Sequence, residues 1–144
     1  NQDDKIVYVL TGDGELQEGQ NWEALMFAAA KKVDNIIVTV DFNKQQIDGP
    51  TAQVLCLGDL KAKFEAFGWT TIEMMGNNMT DVLDKMKVAK SLTGKSKPVV
   101  VLMHTEMGYG VDFMAGTHKW HGVAPNVEQT QNALSQLEET LGDY

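Results

Sequence analysis

The chain has 144 residues, 43% of them hydrophobic and 22% charged, and a formal net charge of -8. That length allows one domain with a real core, not two, and the composition is that of an ordinary soluble globular protein. The acidic balance argues against an electrostatic grip on nucleic acid or an anionic membrane, although a divalent cation or converging backbone N–H groups can still hold a small anion at one place.

The single cysteine, Cys56, cannot close an internal disulfide, which points to a reducing compartment such as the cytoplasm. No apolar run approaches membrane-spanning length. The start NQDDKIVYVL has neither signal-peptide character nor an initiator methionine, and it reads as the beginning of a piece of a longer chain or of a processed product.

Residues 6–10, IVYVL, are short, apolar and rich in β-branched side chains, and predict a buried strand. Over residues 18–33 the period changes. Trp22, Leu25, Met26, Ala29 and Val33 recur at helical spacing, with Glu18 and Glu23 near the positive end of the helix dipole. Residues 36–40 form the second predicted strand. A helix over 60–67 closes on Gly68 and leads into a third strand over 69–74. Residues 81–92 are helical, with Val82, Met86 and Ala89 or Lys90 roughly in line. Residues 98–103 give a fourth strand, where Pro98 is tolerated as the first residue. A glycine-rich stretch, 108–122, precedes a last helix over about 127–141.

Strands alternating with helices, and strands apolar throughout, predict an α/β fold: one domain over residues 1–144, with a mostly parallel sheet covered by helices on both faces. Two long irregular segments, 43–59 and 104–126, leave the carboxyl ends of strands. Connections of that length usually carry function, and open α/β sheets bind ligands at that edge.

The turn LTGDGELQEGQ follows the first strand directly, and Asn43 lies thirty residues beyond Asp13. A helix of about 16 residues descends roughly 24 Å, and the next strand with its lead-in climbs back roughly 20 Å. With a right-handed crossover between neighbouring strands, Asp13 and Asn43 emerge together at the carboxyl edge of the sheet. A carboxylate and an amide oxygen are hard ligands suited to Mg²⁺ or Ca²⁺, and Mg²⁺ commonly adds phosphate oxygens and water. Gly12 permits a sharp exit from the strand, and Gly14 lets a backbone N–H approach a phosphate without a Cβ in the way. The helix start that follows adds its positive end. The plainer reading is an Asp-Gly turn. An EF-hand loop does not fit, since the sixth position from Asp13 is Glu18 and the twelfth is Ala24.

The stretch GDGELQEGQNWEALMFAAAKKVDNIIVTVDFNKQQIDGPT resembles the thiamine-diphosphate motif of transketolases. The likeness continues through AFGW (66–69), KPVVVLMHTEMGYGVDFM (97–114) and WHGVAP (120–125), from about residue 6 to residue 125. IDG, WHG and GYGV together are similar to the short N-terminal subunits of split transketolases. The resemblance implies part of a thiamine-diphosphate-binding fold: a partial diphosphate-binding domain that lacks its N-terminal portion. It implies thiamine diphosphate and Mg²⁺ as cofactors, with Asp13, Asn43 and the main-chain carbonyl of Gln45 on the metal and Gly12 and Gly14 at the diphosphate. Ile47 resembles the apolar residue under the thiazolium ring. Glu18 is similar to a glutamate of the dimer-interface acid network, and His121 to a histidine near the diphosphate and the reacting carbon.

Each of these has a plainer alternative: a first-turn helix acid for Glu18, a loop anchor for Ile47, a surface histidine for His121. His104 and His118 read as structural or solvated, Trp22, Trp69 and most of the eight methionines as core filler, and Cys56 as inert. Glu138 and Glu139 read as a solvated helix face. The chain departs from the family's Asn-Asn at Phe42, from Gly-His at Asn77-Asn78, and from a common lysine at Met107.

The activity implied is transfer of a two-carbon ketol unit from a ketose phosphate to an aldose phosphate, as in the pentose phosphate pathway. The family's upstream sugar-contacting histidines precede Asn1, and its aminopyrimidine-activating glutamate belongs to a separate pyrimidine-binding domain. The chain is therefore expected to be inactive alone and to work with that domain or subunit in a homodimer or heterotetramer. The alternatives are a catalytically silent α/β assembly domain or another thiamine-diphosphate enzyme, of the deoxyxylulose-phosphate synthase or 2-oxoacid dehydrogenase type.

Overall fold

The computed structural model describes residues 4–138. In chain order the elements are β1 (Val7–Gly12), α1 (Gly19–Ala30), β2 (Ile36–Phe42), β3 (Gln45–Gln46), β4 (Gly49–Pro50), α2 (Thr51–Val54), α3 (Leu60–Ala66), β5 (Thr70–Met75), α4 (Met79–Leu92), β6 (Val99–His104) and α5 (Val127–Gln136). Short 3-10 turns occupy Glu15–Gln17 and His118–Trp120. The four long strands are all parallel, in the order β1-β2-β6-β5.

Alternation along the strands divides the core. On one face Val38, Val40, Val100 and Leu102 pack under Leu25 and Ala28 of α1 and Leu60 and Phe64 of α3. On the other, Ile37, Met74, Val99 and Val101 meet Ala89 of α4, with Val82 and Met86 at the margin. Each fully buried Val, Leu, Ile, Phe or Met side chain contributes about 1.5–3 kcal/mol of hydrophobic stabilisation. The indoles of Trp22 and Trp69 join the first face with their polar edges satisfied. Trp69 Nε1 donates to Leu25 O at 3.0 Å and Trp22 Nε1 to Leu16 O at 2.7 Å.

Several boundaries differ from the sequence expectation for local reasons. Helix α1 starts at Gly19 rather than Glu18, because Leu16, Gln17 and Glu18 give their N–H groups to Asp13, Gly14 and Glu15 in the 3-10 turn. Glu18 is left as an extended N-cap residue whose side chain makes no capping bond. Helix α4 starts at Met79, ahead of residue 81, because the Asn78 side chain accepts the N–H groups of Thr80 and Asp81. Helix α5 ends at Gln136, with Leu137 extended; residues 139–141 of the expected helix, and Glu139, lie outside the described residues. The segment 43–59 is not irregular, since it holds the β3–β4 hairpin and the one-turn α2.

Strand β1 departs from the expected burial. Its outer edge carries no partner strand among the described residues. Tyr8 and Leu10 stand on the face that α4 covers only farther along the sheet, and Leu10 is 71% exposed. The methionines also depart from the core expectation: Met74 is buried, but Met26, Met75 and Met79 are exposed.

Candidate functional site

The register of β1 on β2 sets Gly12 opposite Asp41, so Asp13 and Asn43 leave neighbouring strand ends. The two exits are tied directly. Asp13 N–H donates to Asp41 O at 3.1 Å, and Asp13 Oδ2 accepts the Lys44 N–H at 2.7 Å. Asp13 is only 1% exposed, and its second carboxylate oxygen, Oδ1, is buried with no hydrogen-bond partner. Burial pushes the Asp13 carboxyl above its ordinary value, the charge of Asp41 adds to that, and hydrogen bonds from the Lys44 and Gly14 backbone pull against it. A buried, half-satisfied carboxylate is a costly arrangement in a protein interior. It is the arrangement that a cation relieves.

The Asn43 loop is folded for the same corner. Lys44 adopts a left-handed conformation at φ 64°, uncommon for a residue with a side chain, and this turns the chain back into β3. Asn43 Nδ2 donates to Asp41 Oδ2 at 3.0 Å and Asn43 Oδ1 accepts the Gln45 N–H at 2.8 Å. The Gln45 Oε1 atom is a second buried oxygen without a partner. Gly14 fits against this loop so closely that a Cβ there would lie 2.8 Å from Gln46 Cβ. The need for glycine at position 14 thus comes from hairpin packing as well as from any ligand. Gly12 has no left-handed φ, contrary to the sharp-exit expectation; instead its N–H donates to Glu15 Oε2 at 2.7 Å.

One cleft of about 480 Å³ joins these parts. Its lining includes Gly12, Asp13, Gly14, Glu18, Asn43, Gln45, Ile47 and His121, so all eight residues nominated from the sequence meet at one place. Ile47 sits at the hairpin tip, 66% exposed, and His121 follows the second 3-10 turn, its N–H held by His118 O at 2.9 Å. The other lining residues, Glu15, Asp41 and Gln46, were not nominated. A DxN pattern at a strand end was the available signal for Asp41; nothing in the sequence marked Glu15 or Gln46. The helix end expected beside Gly14 is replaced by the 3-10 turn, with α1 beginning five residues later.

A family model described as transketolase, thiamine diphosphate binding domain, matches residues 1–141. The chain belongs to this transketolase family. It is 42% identical over 133 residues to one subunit of an apulose-4-phosphate transketolase from Actinobacillus succinogenes, covering 92% of this chain and 47% of that protein. It is 37% identical over 132 residues to the 6-deoxy-6-sulfo-D-fructose transketolase subunit SqwG of a Clostridium species, again covering 92% and 47%. Among solved structures, transketolase from Campylobacter jejuni superposes with a TM-score of 0.83 at 30% identity, over 92% of this chain and 20% of that one. The chain spans about half the length of these curated transketolase subunits.

The corner where β1 and β2 end offers oxygen donors of the hard type that suit the counter-ion of a diphosphate. The orphaned Asp13 Oδ1 and the amide oxygen of Asn43 fit a divalent cation of the Mg²⁺ class. Among the described residues no three His, Cys, Asp or Glu side chains converge as a cage. His104 and His118 lie off this cleft. His104 packs on the Phe42 ring at 5.3 Å and reaches Glu73 at 3.8 Å, in a neighbouring hollow with Asn77, Asn78 and Tyr109. Cys56 is an exposed free thiol, and no helix among the described residues is long and apolar enough to cross a membrane.

Proposed function

We propose that this chain is the diphosphate- and metal-binding part of a transketolase that moves a two-carbon ketol unit from a ketose phosphate to an aldose phosphate. The observation that carries the reading is the buried, unpartnered Asp13 Oδ1 at the centre of a cleft lined by all eight nominated residues. Asp13 Oδ1, Asn43 Oδ1 and the Gln45 main-chain carbonyl would hold Mg²⁺, with Ca²⁺ a chemically suitable substitute. Gly12 and Gly14 would line the diphosphate, where the turn lets backbone approach without a side chain. Thiamine diphosphate, when bound, supplies the carbanion chemistry of ketol transfer.

The chain's own residues then bind, orient and handle protons. Ile47 presents an apolar surface at the hairpin tip for the flat part of the cofactor, and the β3–β4 pairing fixes its position. His121, which lines the same cleft, would polarise a substrate oxygen or carry a proton at its imidazole. Glu18, on the acidic rim of the cleft, would face a neighbouring subunit and link the two sites.

The chain works as part of a larger assembly. Relatives named as subunits of transketolases support a partner subunit, and the exposed Met26 and Phe27 on α1 and the open edge of β1 are consistent with further protein packing there. We take the missing functions, sugar contacts and aminopyrimidine activation, to reside in the rest of a domain of which this is a part and in a pyrimidine-binding domain or subunit. The assembly is a homodimer or heterotetramer in the cytoplasm. The test compares ketol transfer from a ketose phosphate with turnover of pyruvate in the full-length subunit joined to its partner. Mg²⁺-dependent ketol transfer by the pair, and none by residues 1–144 alone, is the expected result. Turnover by the isolated chain, or pyruvate as the donor, overturns the reading.

A further inference from the structure

Asp41 is not one of the residues that the cofactor reading places on the metal, yet it stands at the centre of the corner. It is the penultimate residue of β2, paired with Gly12 of β1 on one side and Met103 of β6 on the other. Its main-chain oxygen receives the Asp13 N–H, and its carboxylate is shared between two side chains. Oδ2 accepts from Asn43 Nδ2 at 3.0 Å, and Oδ1 accepts a hydrogen bond from Thr105 Oγ1.

The Asn43 amide therefore lies between an acceptor-only carboxylate and the donor-only N–H of Gln45. Only one orientation satisfies both: NH₂ toward Asp41 and oxygen toward Gln45. A flipped amide would set oxygen against carboxylate and NH₂ against N–H. Thr105 is itself held. A Cβ at Gly76 would fall 2.4 Å from Thr105 Cγ2, so the threonine methyl is wedged against the Gly76 backbone while its hydroxyl faces Asp41.

We infer that Asp41 is a positioning residue which, locked by Thr105, fixes the Asn43 amide with its oxygen available to the cation and its NH₂ turned away. The inference rests on the metal–diphosphate reading of the cleft. It assigns to the end of β6, through a residue 64 positions from Asp41, a part in building a metal site that otherwise comes from β1 and β2. Partners that orient metal ligands in this way typically change metal affinity by about 10–100-fold when removed.

The experiment titrates Mg²⁺ into the full-length subunit with its partner at saturating thiamine diphosphate, following cofactor binding by calorimetry. Asp41→Leu is expected to weaken apparent Mg²⁺ affinity by about 10–100-fold. Asp41→Asn retains shape and can accept from Asn43 while donating to Thr105, so it keeps most of the affinity. Thr105→Val, isosteric but without the hydroxyl, weakens binding by roughly tenfold, and Thr105→Ser, which keeps the hydroxyl but not the methyl, stays closer to the unmodified affinity than Thr105→Val does. If Asp41→Leu does not fold, the Thr105 pair decides alone. Equal losses in Asp41→Asn and Asp41→Leu with no effect of Thr105→Val would reduce Asp41 to a bare charge and overturn the inference. Unchanged affinity in every variant overturns it too, while leaving the cleft reading intact. Absence of Mg²⁺-dependent cofactor binding in the unmodified pair removes both.

Discussion

At Asp13 burial and hydrogen bonding act on one carboxylate in opposite directions. Its carboxyl is held above the ordinary aspartate range, first by desolvation and then by Asp41. In the metal-free state the folded chain therefore holds this proton more tightly than the unfolded chain does. Stability falls as pH rises from the ordinary aspartate range through the raised value, and stays level above it. Asp13→Asn removes the buried charge, so above that window it should raise the metal-free melting temperature by about 2–5 °C and flatten this part of the pH profile, both read by thermal melts across pH. The same variant should gain nothing from added Mg²⁺. Gly14 offers a purely steric prediction. Gly14→Ala should cost about 1–3 kcal/mol in denaturant titrations, because its Cβ would meet Gln46 Cβ at 2.8 Å. In a Gln46→Gly background the penalty should shrink, as expected for two residues in direct contact.

The β2–β3 connection works as an element because Lys44 turns it in the left-handed region. Lys44→Val should destabilise by about 1–3 kcal/mol, since a β-branched side chain resists that conformation, while Lys44→Gly should be neutral or stabilising; equilibrium unfolding measures both. How much could be read beforehand differs by element. The apolar runs that became β2 and β6 and the Gly68 stop after α3 were plain, because burial on both faces and a left-handed glycine leave direct traces in sequence. Adjacent exit of Asp13 and Asn43 followed from crossover geometry. The Asp41–Asn43–Thr105 hydrogen bonds were not legible, since they join residues from two strand ends whose adjacency no local pattern states. The late start of α1 was hidden for another reason: a 3-10 turn and a helix share the same apolar spacing over so few residues. Ile47 and His121 entered the site through family likeness, as neither a loop isoleucine nor a lone histidine carries a signal of its own.

At the scale of the whole molecule, large apolar side chains stand exposed on α1 and β1. Helix α1 is apolar on both sides: Leu25 and Ala28 are buried under the sheet, while Met26 and Phe27 face outward, Phe27 62% exposed. Apolar side chains on the outward side of a helix ordinarily pack against another element. Phe27→Glu in the full-length subunit should weaken association with its partner while leaving the subunit's own melting temperature nearly unchanged, as sedimentation and thermal melts would show. Leu10 and Tyr8 are likewise exposed on β1, whose outer edge carries no partner strand among the described residues. The most direct test of the account is calorimetric titration of thiamine diphosphate into the assembled full-length protein, with and without Mg²⁺, for the unmodified chain and for Asp13→Ala. Binding that requires Mg²⁺ and is abolished by Asp13→Ala is the expected result. Binding of equal strength without the ion, or undiminished in Asp13→Ala, would contradict it.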